Sequence, residues 1–343
     1  MSHAIRKEAL RALVGSWLAE GKRVAGPVAV GPGRVLYQPL VSPERLLLDG
    51  FIRTVNSIKA FVFPRHEELY AYRFRGRQVE LIDAPLPEEE QIVIGARPCD
   101  AAALPVLDHV FRWGTPDRSY ERRRELTTVV TLACREYDDH CFCTSLDSGP
   151  RDERGSDVLL VEIDEETYEV VWLTSKGKDL FVRHTERADR KGTIGTGPKR
   201  KFDAAALERF LAENFESPVW ETFALRCLGC GACAYDCPTC HCFDIVDEGD
   251  RHGGMRVRNW DSCQFALFTL HASGHNPRTA QAQRIRQRIY HKFRIYPDKF
   301  GDTLCTGCGN CSRGCPVHLG IRPVLEAISA LERKPQSAPP KTP

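Results

Sequence analysis

The sequence predicts an α+β domain over residues 1–199, a mainly helical domain over 200–333 and a short disordered tail over 334–343. Three observations predict this. Short β-rich runs bounded by turn residues crowd the first half of the chain. Gly192–Pro198, Gly-Thr-Ile-Gly-Thr-Gly-Pro, is the strongest linker in the chain. Beyond it stand two dense cysteine runs separated by stretches of helical pattern. The length, 343 residues, suits about two domains at roughly 150 residues each.

In chain order, residues 4–20 read as an amphipathic helix that Gly21 ends, with Leu10, Leu13, Val14, Trp17 and Leu18 on one stripe. Strands are expected at Val28–Val30, Val35–Tyr37, Ala60–Phe63, Leu69–Phe74, Val79–Ile82 and Gln91–Ile94. Asp100 reads as the N-cap of a helix through Phe111, with Pro105 to be accommodated near its first turn. Cys99 would then lie beside the positive end of that helix. Further strands are expected at Thr127–Ala133, Val158–Ile163 and Tyr168–Leu173. A helix follows from Phe202 to about Phe215, capped near Asp203, with Leu207, Phe210 and Leu211 inward. Trp260–Ser273 reads as helical and buried, and a basic helix runs through Arg278, Arg284, Arg286, Arg288, His291 and Lys292. The tail from Lys334 has too few apolar residues to fold.

The chemistry is concentrated in two matching runs. One is Cys227-Leu-Gly-Cys230-Gly-Ala-Cys233-Ala-Tyr-Asp-Cys237-Pro238; the other is Cys305-Thr-Gly-Cys308-Gly-Asn-Cys311-Ser-Arg-Gly-Cys315-Pro316. Both read C-x2-C-x2-C-x3-C-P, the run that binds [4Fe–4S] clusters in two-cluster ferredoxins. A zinc site would instead use two separated cysteine pairs. In this pattern three cysteines of one run hold one cube, and the fourth reaches the other. The expected ligand sets are therefore Cys227, Cys230, Cys233 and Cys315 for one cube, and Cys305, Cys308, Cys311 and Cys237 for the other. The 200–333 domain is thus read as a two-cluster ferredoxin-like domain with a long insert.

Seven cysteines remain. Cys99, Cys134, Cys141 and Cys143 lie in the N-terminal domain, two of them at expected strand ends. Their density suggests a third [4Fe–4S] cluster, and the alternative is that they pack as small hydrophobes. Cys240, Cys242 and Cys263, with His241 nearby, could hold a further metal or pack as sulfurs around the first cluster. The arginines of the basic helix admit three roles: a solvated face, cations that raise a cluster potential, or a surface for an acidic partner.

Composition excludes other classes. The formal charge is +2, with 42% hydrophobic and 27% charged residues, so no global polycation argues for nucleic acid. Residues 1–30 lack a signal-peptide pattern, and no segment approaches the roughly 18 apolar residues of a membrane span. The cytoplasm is the expected location. With fifteen cysteines, such a chain is expected to bind metal rather than form disulfides. No Gly-x-Gly-x-x-Gly stands between a strand and a helix, so no nucleotide site is expected.

With these residues in place the chain resembles the iron–sulfur β subunits of cytoplasmic sulfhydrogenase-type [NiFe] hydrogenases. That family also includes the iron–sulfur electron-transfer component of anaerobic sulfite reductase. The matching stretches are Ser57-Ile-Lys-Ala-Phe-Val-Phe-Pro64, Gly95-Ala-Arg-Pro-Cys99-Asp100, Cys141-Phe-Cys143, Cys237-Pro-Thr-Cys-His-Cys-Phe-Asp244, Trp260-Asp-Ser-Cys263, the segment ending in Asn276-Pro-Arg278, and the two cysteine runs. Ser57 stands where relatives carry proline. The resemblance implies an electron-transfer subunit between a flavoprotein, which carries FAD and handles NAD(P)H, and a catalytic subunit holding nickel–iron or sirohaem. FAD is expected only on that partner, and no catalytic residue on this chain. The competing expectations are a self-contained enzyme at an open metal near Cys240, Cys242 and Cys263, and a nucleic-acid-binding protein with structural clusters.

Overall fold

The computed structural model describes residues 2–333, so the 334–343 tail lies outside the described residues. Among the described residues twelve strands form two sheets. They are β1 (Ser2–Arg6), β2 (Arg23–Gly31), β3 (Arg34–Pro39), β4 (His66–Arg75), β5 (Gln78–Asp83), β6 (Gln91–Ala96), β7 (Thr127–Leu132), β8 (Val158–Asp164), β9 (Thr167–Trp172), β10 (Glu186–Ala188), β11 (Phe243–Asp250) and β12 (Gly253–Trp260). The larger sheet has the order β10-β1-β9-β8-β7-β6-β2-β3 and the smaller β11-β12-β4-β5.

The centre of the large sheet, β2-β6-β7-β8, is parallel, and antiparallel strands flank it. This corrects the expected α+β class to a mixed α/β arrangement. The reason is visible in Gln91–Ala96 and Thr127–Leu132, which are buried on both faces, as strands covered on both sides must be. Period-2 alternation divides them between two cores. Ile92, Ile94, Val130 and Leu132 pack under the helix Lys7–Ala19, with Trp17 and Phe181. Val93 and Val129 face Leu104, Leu107, Phe111 and Tyr120 on the opposite side.

Four local expectations are corrected. Residues 2–6 form an edge strand, and the first helix starts only at Lys7. Ala60–Phe63 is not a strand; Ile58–Phe61 is a 3₁₀ turn that buries Ile58 and Lys59, with Val62 and Phe63 buried just after it and no alternation. Asp100 is not an N-cap. Arg97 holds that position with Pro98 next, and the carboxylate of Asp100 is taken by Arg53 and Tyr37. The helix breaks at Ala102, because Pro105 has no N–H for the Ala101 carbonyl, and resumes as Ala103–Phe111. Trp260–Ser273 is not helical. Trp260 closes β12, and the following residues turn repeatedly, with Leu267 and Leu270 exposed.

The C-terminal part is not mainly helical throughout, since β11 and β12 belong to it. Helices Ala204–Glu213 and Ile321–Arg333 do pack together, as do Val219–Ala224 and Gln281–Tyr290. Asp203 caps the first of these, and Leu207, Phe210 and Leu211 are buried as expected. Their core includes Cys311 and borders Cys227, Cys233 and Cys305. The small sheet joins β12 to β4 across residue 200, with Arg258 as the fastener. Its guanidinium is 6% exposed and ion-paired to Glu67 and Asp117, while Glu67 also takes Arg123.

Removing one partner of such a buried network leaves a charge without compensation. Arg258→Met is expected to lower stability by about 3 kcal/mol, read as a fall of about 6 °C in the thermal midpoint. A midpoint at the wild-type value would contradict this account of the fastener.

Candidate metal centre

Each cysteine run folds as a tight loop ending in one short helical turn, Ala232–Tyr235 in the first run and Asn310–Arg313 in the second. In the second run the loop seats directly on the N-terminal half. A Cβ on Gly307 would lie 2.5 Å from the Cys143 backbone, and one on Gly309 would lie 2.4 Å from the His140 carbonyl oxygen. Both positions also have positive φ, so glycine is required twice over. The amide of Phe142 donates to the Gly307 carbonyl at 2.9 Å, which completes the junction.

The structure gathers the thiols into adjoining groups. Cys227, Cys230, Cys233 and Cys315 line one pocket, so the last cysteine of the second run stands with the first three of the first run. Cys230 is exposed there. The amide of Leu319 donates to the Cys315 sulfur at 3.2 Å, and Gln281 Nε2 donates to Cys227 at 3.2 Å. In the second group Cys237 lies near Cys305 and Cys308, which also neighbour each other and Cys311. Burial pushes the Cys233 and Cys305 thiols up to about 12. At neutral pH each therefore keeps its proton until a metal replaces it.

The four N-terminal cysteines also converge. Cys99 follows β6 and Cys134 follows β7, and these parallel neighbours deliver both to one edge of the sheet. Cys134 lies close to Cys99, Cys141 and Cys143, and burial raises the pKa of Cys99, Cys134 and Cys143. Cys99 also neighbours Cys308, so this group adjoins the second one. Cys233 neighbours Cys311, so the second adjoins the first. The three groups form a chain.

Cys240, Cys242 and Cys263 lie beside this chain. Cys240 hydrogen-bonds Cys237, and Cys242 hydrogen-bonds Cys263, which neighbours Cys233. The hydrogen bond from Cys242 lowers Cys263 to about 6. Burial holds His241 down at about 4, and its Nδ1 donates to the Thr239 carbonyl at 3.1 Å. Among the described residues no three His, Cys, Asp or Glu side chains close on a single metal ion. A tetrahedral zinc site would need sulfurs only ~3.8 Å apart, whereas a four-iron cube holds its thiolates farther from one another.

The basic helix runs from Gln281 to Tyr290 and continues through a π-turn, His291–Ile295. Arg284, Arg288 and Lys292 are buried, which rules out a solvated face for these three. Arg288 stands near Cys233, Cys311, Cys240 and Cys263. Lys292 Nζ lies 3.5 Å from the Cys237 sulfur and donates to Thr239 and to the Leu304 carbonyl. Arg286 is half-buried and pairs with Glu216 over the Phe215 ring, and Arg294 on the π-turn is partly exposed and pairs with Asp298. Lys59, which sequence reasoning passed over, is also buried; it donates to the carbonyls of Ala234 and Cys240 at 3.0 Å. Its signal was an isolated lysine in the apolar stretch Ile58–Phe63.

Among the described residues, none of Lys59, Arg288 and Lys292 has a carboxylate within ion-pairing distance. The negative groups acting on Arg288 and Lys292 are sulfurs, and those acting on Lys59 are the sulfurs of Cys240, Cys237 and Cys242 together with the Asp236 carboxylate. A thiolate-bound iron–sulfur cube carries net negative charge, so the residues present fit such a group. Iron removal should leave these cations uncompensated at a cost of several kcal/mol. The iron-free protein is expected to unfold about 10 °C or more below the holoprotein. Equal midpoints would contradict this pairing.

Comparison with known proteins identifies the family. A family model described as 4Fe-4S dicluster domain matches residues 226–319, which span both cysteine runs. The chain is 30% identical over 326 residues to sulfhydrogenase 2 subunit beta of Pyrococcus furiosus, covering 91% of this chain and 93% of the relative. No solved structure matches the chain. No described helix is long and apolar enough to cross a membrane. The resemblance drawn from the residues is thereby established: the chain belongs to the family of sulfhydrogenase beta subunits and carries a 4Fe–4S dicluster domain.

Proposed function

We propose that this chain is an electron relay of three [4Fe–4S] clusters within a multisubunit [NiFe] hydrogenase. The observation that carries the reading is the contiguity of three four-cysteine groups, each neighbouring the next through Cys308 and Cys99 on one side and Cys311 and Cys233 on the other. One cube is held by Cys227, Cys230, Cys233 and Cys315, the second by Cys237, Cys305, Cys308 and Cys311, and the third by Cys99, Cys134, Cys141 and Cys143. Cys240, Cys242 and Cys263 pack as sulfurs against the first two. The clusters supply one-electron transfer; the protein's own groups fix their spacing, exclude water and set their potentials. Buried Arg288 and Lys292 favour the more negative, reduced state of the cubes beside them.

The relay joins a flavoprotein, which carries FAD and handles NAD(P)H, to a catalytic subunit with nickel and iron. The similarity to a protein named as the beta subunit of a sulfhydrogenase supports a place in a multisubunit complex. Inward-facing Arg284 and Arg288 have no access to phosphates, which argues against a nucleic-acid surface on that helix.

The native complex, isolated through this chain, is expected to contain nickel and a flavin. Sirohaem in place of nickel would instead assign the chain to a sulfite reductase. Anaerobically purified chain is expected to hold about twelve irons, from three four-iron cubes. A reproducible count near eight would remove the third cluster. Cys227→Ser and Cys315→Ser are expected to disturb the same paramagnetic signal. Two different signals responding would contradict the shared cube.

A further inference from the structure

Two guanidinium groups meet at the N-terminal thiols. Arg53 comes from the N-terminal half and its side chain is 3% exposed. Its Nη1 donates to the Cys99 sulfur at 3.0 Å, its Nη2 to Asp100 at 2.9 Å and its Nε to Asn310 Oδ1 at 3.2 Å. Arg313 comes from the second cysteine run. Its Nη2 donates to the Cys141 sulfur at 3.1 Å and its Nε to Asp138 at 2.8 Å. Its Nη1 donates to the Cys308 carbonyl at 2.6 Å and to Asn310 Oδ1 at 3.3 Å.

Asn310 therefore accepts from both arginines with one oxygen, while its amide nitrogen lies 3.3 Å from the Asp236 carbonyl and 3.5 Å from that of Thr54. The side chain of a residue inside the second cysteine run thus locks the two cations that touch the N-terminal sulfurs. Each arginine also has its own carboxylate, Asp100 or Asp138, so the assembly adds little net charge. What it adds is directed N–H donors, which a lysine cannot reproduce in fork geometry. The sulfurs of the other two groups receive other donors: the backbone amides of Leu319 and Ile321, Gln281, and the ammonium of Lys292.

We infer that Arg53 and Arg313, joined through Asn310, are positioning residues that raise the potential of the N-terminal centre and fix it against the second cluster. This rests on the assignment of a third cluster to Cys99, Cys134, Cys141 and Cys143. A hydrogen bond to a cluster sulfur stabilises the electron-rich reduced state more than the oxidised state, so each donor shifts the potential upward.

The test is a redox titration of the anaerobic holoprotein followed by paramagnetic resonance, with iron counted in every sample. Arg53→Gln combined with Asp100→Asn removes the buried pair without leaving a lone charge. Arg53→Lys keeps the charge but loses the fork. Full iron content with a lowered potential for the N-terminal signal in the double variant, and a smaller drop in Arg53→Lys, is the expected result. Full iron content with a wild-type potential in the double variant overturns the inference. If the double variant loses the N-terminal irons, Arg53→Lys decides: a lowered potential supports the inference and a wild-type potential overturns it. A wild-type count near eight irons overturns the third-cluster assignment and this inference together.

Discussion

The structure depends on burying positive charge beside sulfur. Lys59, Arg288 and Lys292 sit in the interior with no carboxylate within ion-pairing distance among the described residues. Isolated buried cations cost several kcal/mol each. They are tolerable here because fifteen cysteines share the chain, and most of them crowd the same region. Thiolates bound to iron would neutralise the cations, and the cations would favour the reduced clusters. Folding, metal loading and redox behaviour are therefore linked in one set of contacts.

The same constraint explains how the two halves are joined. Gly307 and Gly309 let the second cysteine run lie against the backbone of His140 and Cys143, so the N-terminal thiols and the ferredoxin-type thiols share a boundary. The small sheet fastens the halves a second time, through β4 and β12 and the pairing of Arg258 with Glu67. A relay needs fixed distances between its centres, and both junctions are built from buried, hydrogen-bonded groups rather than from a flexible hinge.

How much of this was legible in the sequence depended on how local each signal was. The spacing in Cys227–Cys237 and Cys305–Cys315 is confined to eleven residues each, so the chemistry could be read directly. Cys99 and Cys134 were legible as strand-end residues because β6 and β7 are short runs rich in β-branched residues that end just before them. The strand identity of Ala60–Phe63 was misread, since an apolar run of four does not distinguish a strand from a 3₁₀ turn followed by buried Val62 and Phe63. The hairpin β11–β12 was missed for the opposite reason. Phe243–Asp250 is acidic and almost wholly exposed, and only long-range pairing of β12 with β4 makes it part of a sheet. Arg53 resembles an ordinary surface charge in sequence, because the Asp100 carboxylate and the Cys99 sulfur that it meets are brought to it only by the fold. Asn310 likewise gave no sign that two arginines converge on it.

The central claim is that three clusters stand in a row through this chain. The most direct measurement is an anomalous-difference map at the iron edge from anaerobically grown crystals. The account requires three compact iron peaks: one inside Cys227, Cys230, Cys233 and Cys315, one inside Cys237, Cys305, Cys308 and Cys311, and one inside Cys99, Cys134, Cys141 and Cys143. The middle peak should be the second of these. A map with no iron among the N-terminal thiols, or with Cys237 and Cys230 on the same cube, would contradict it.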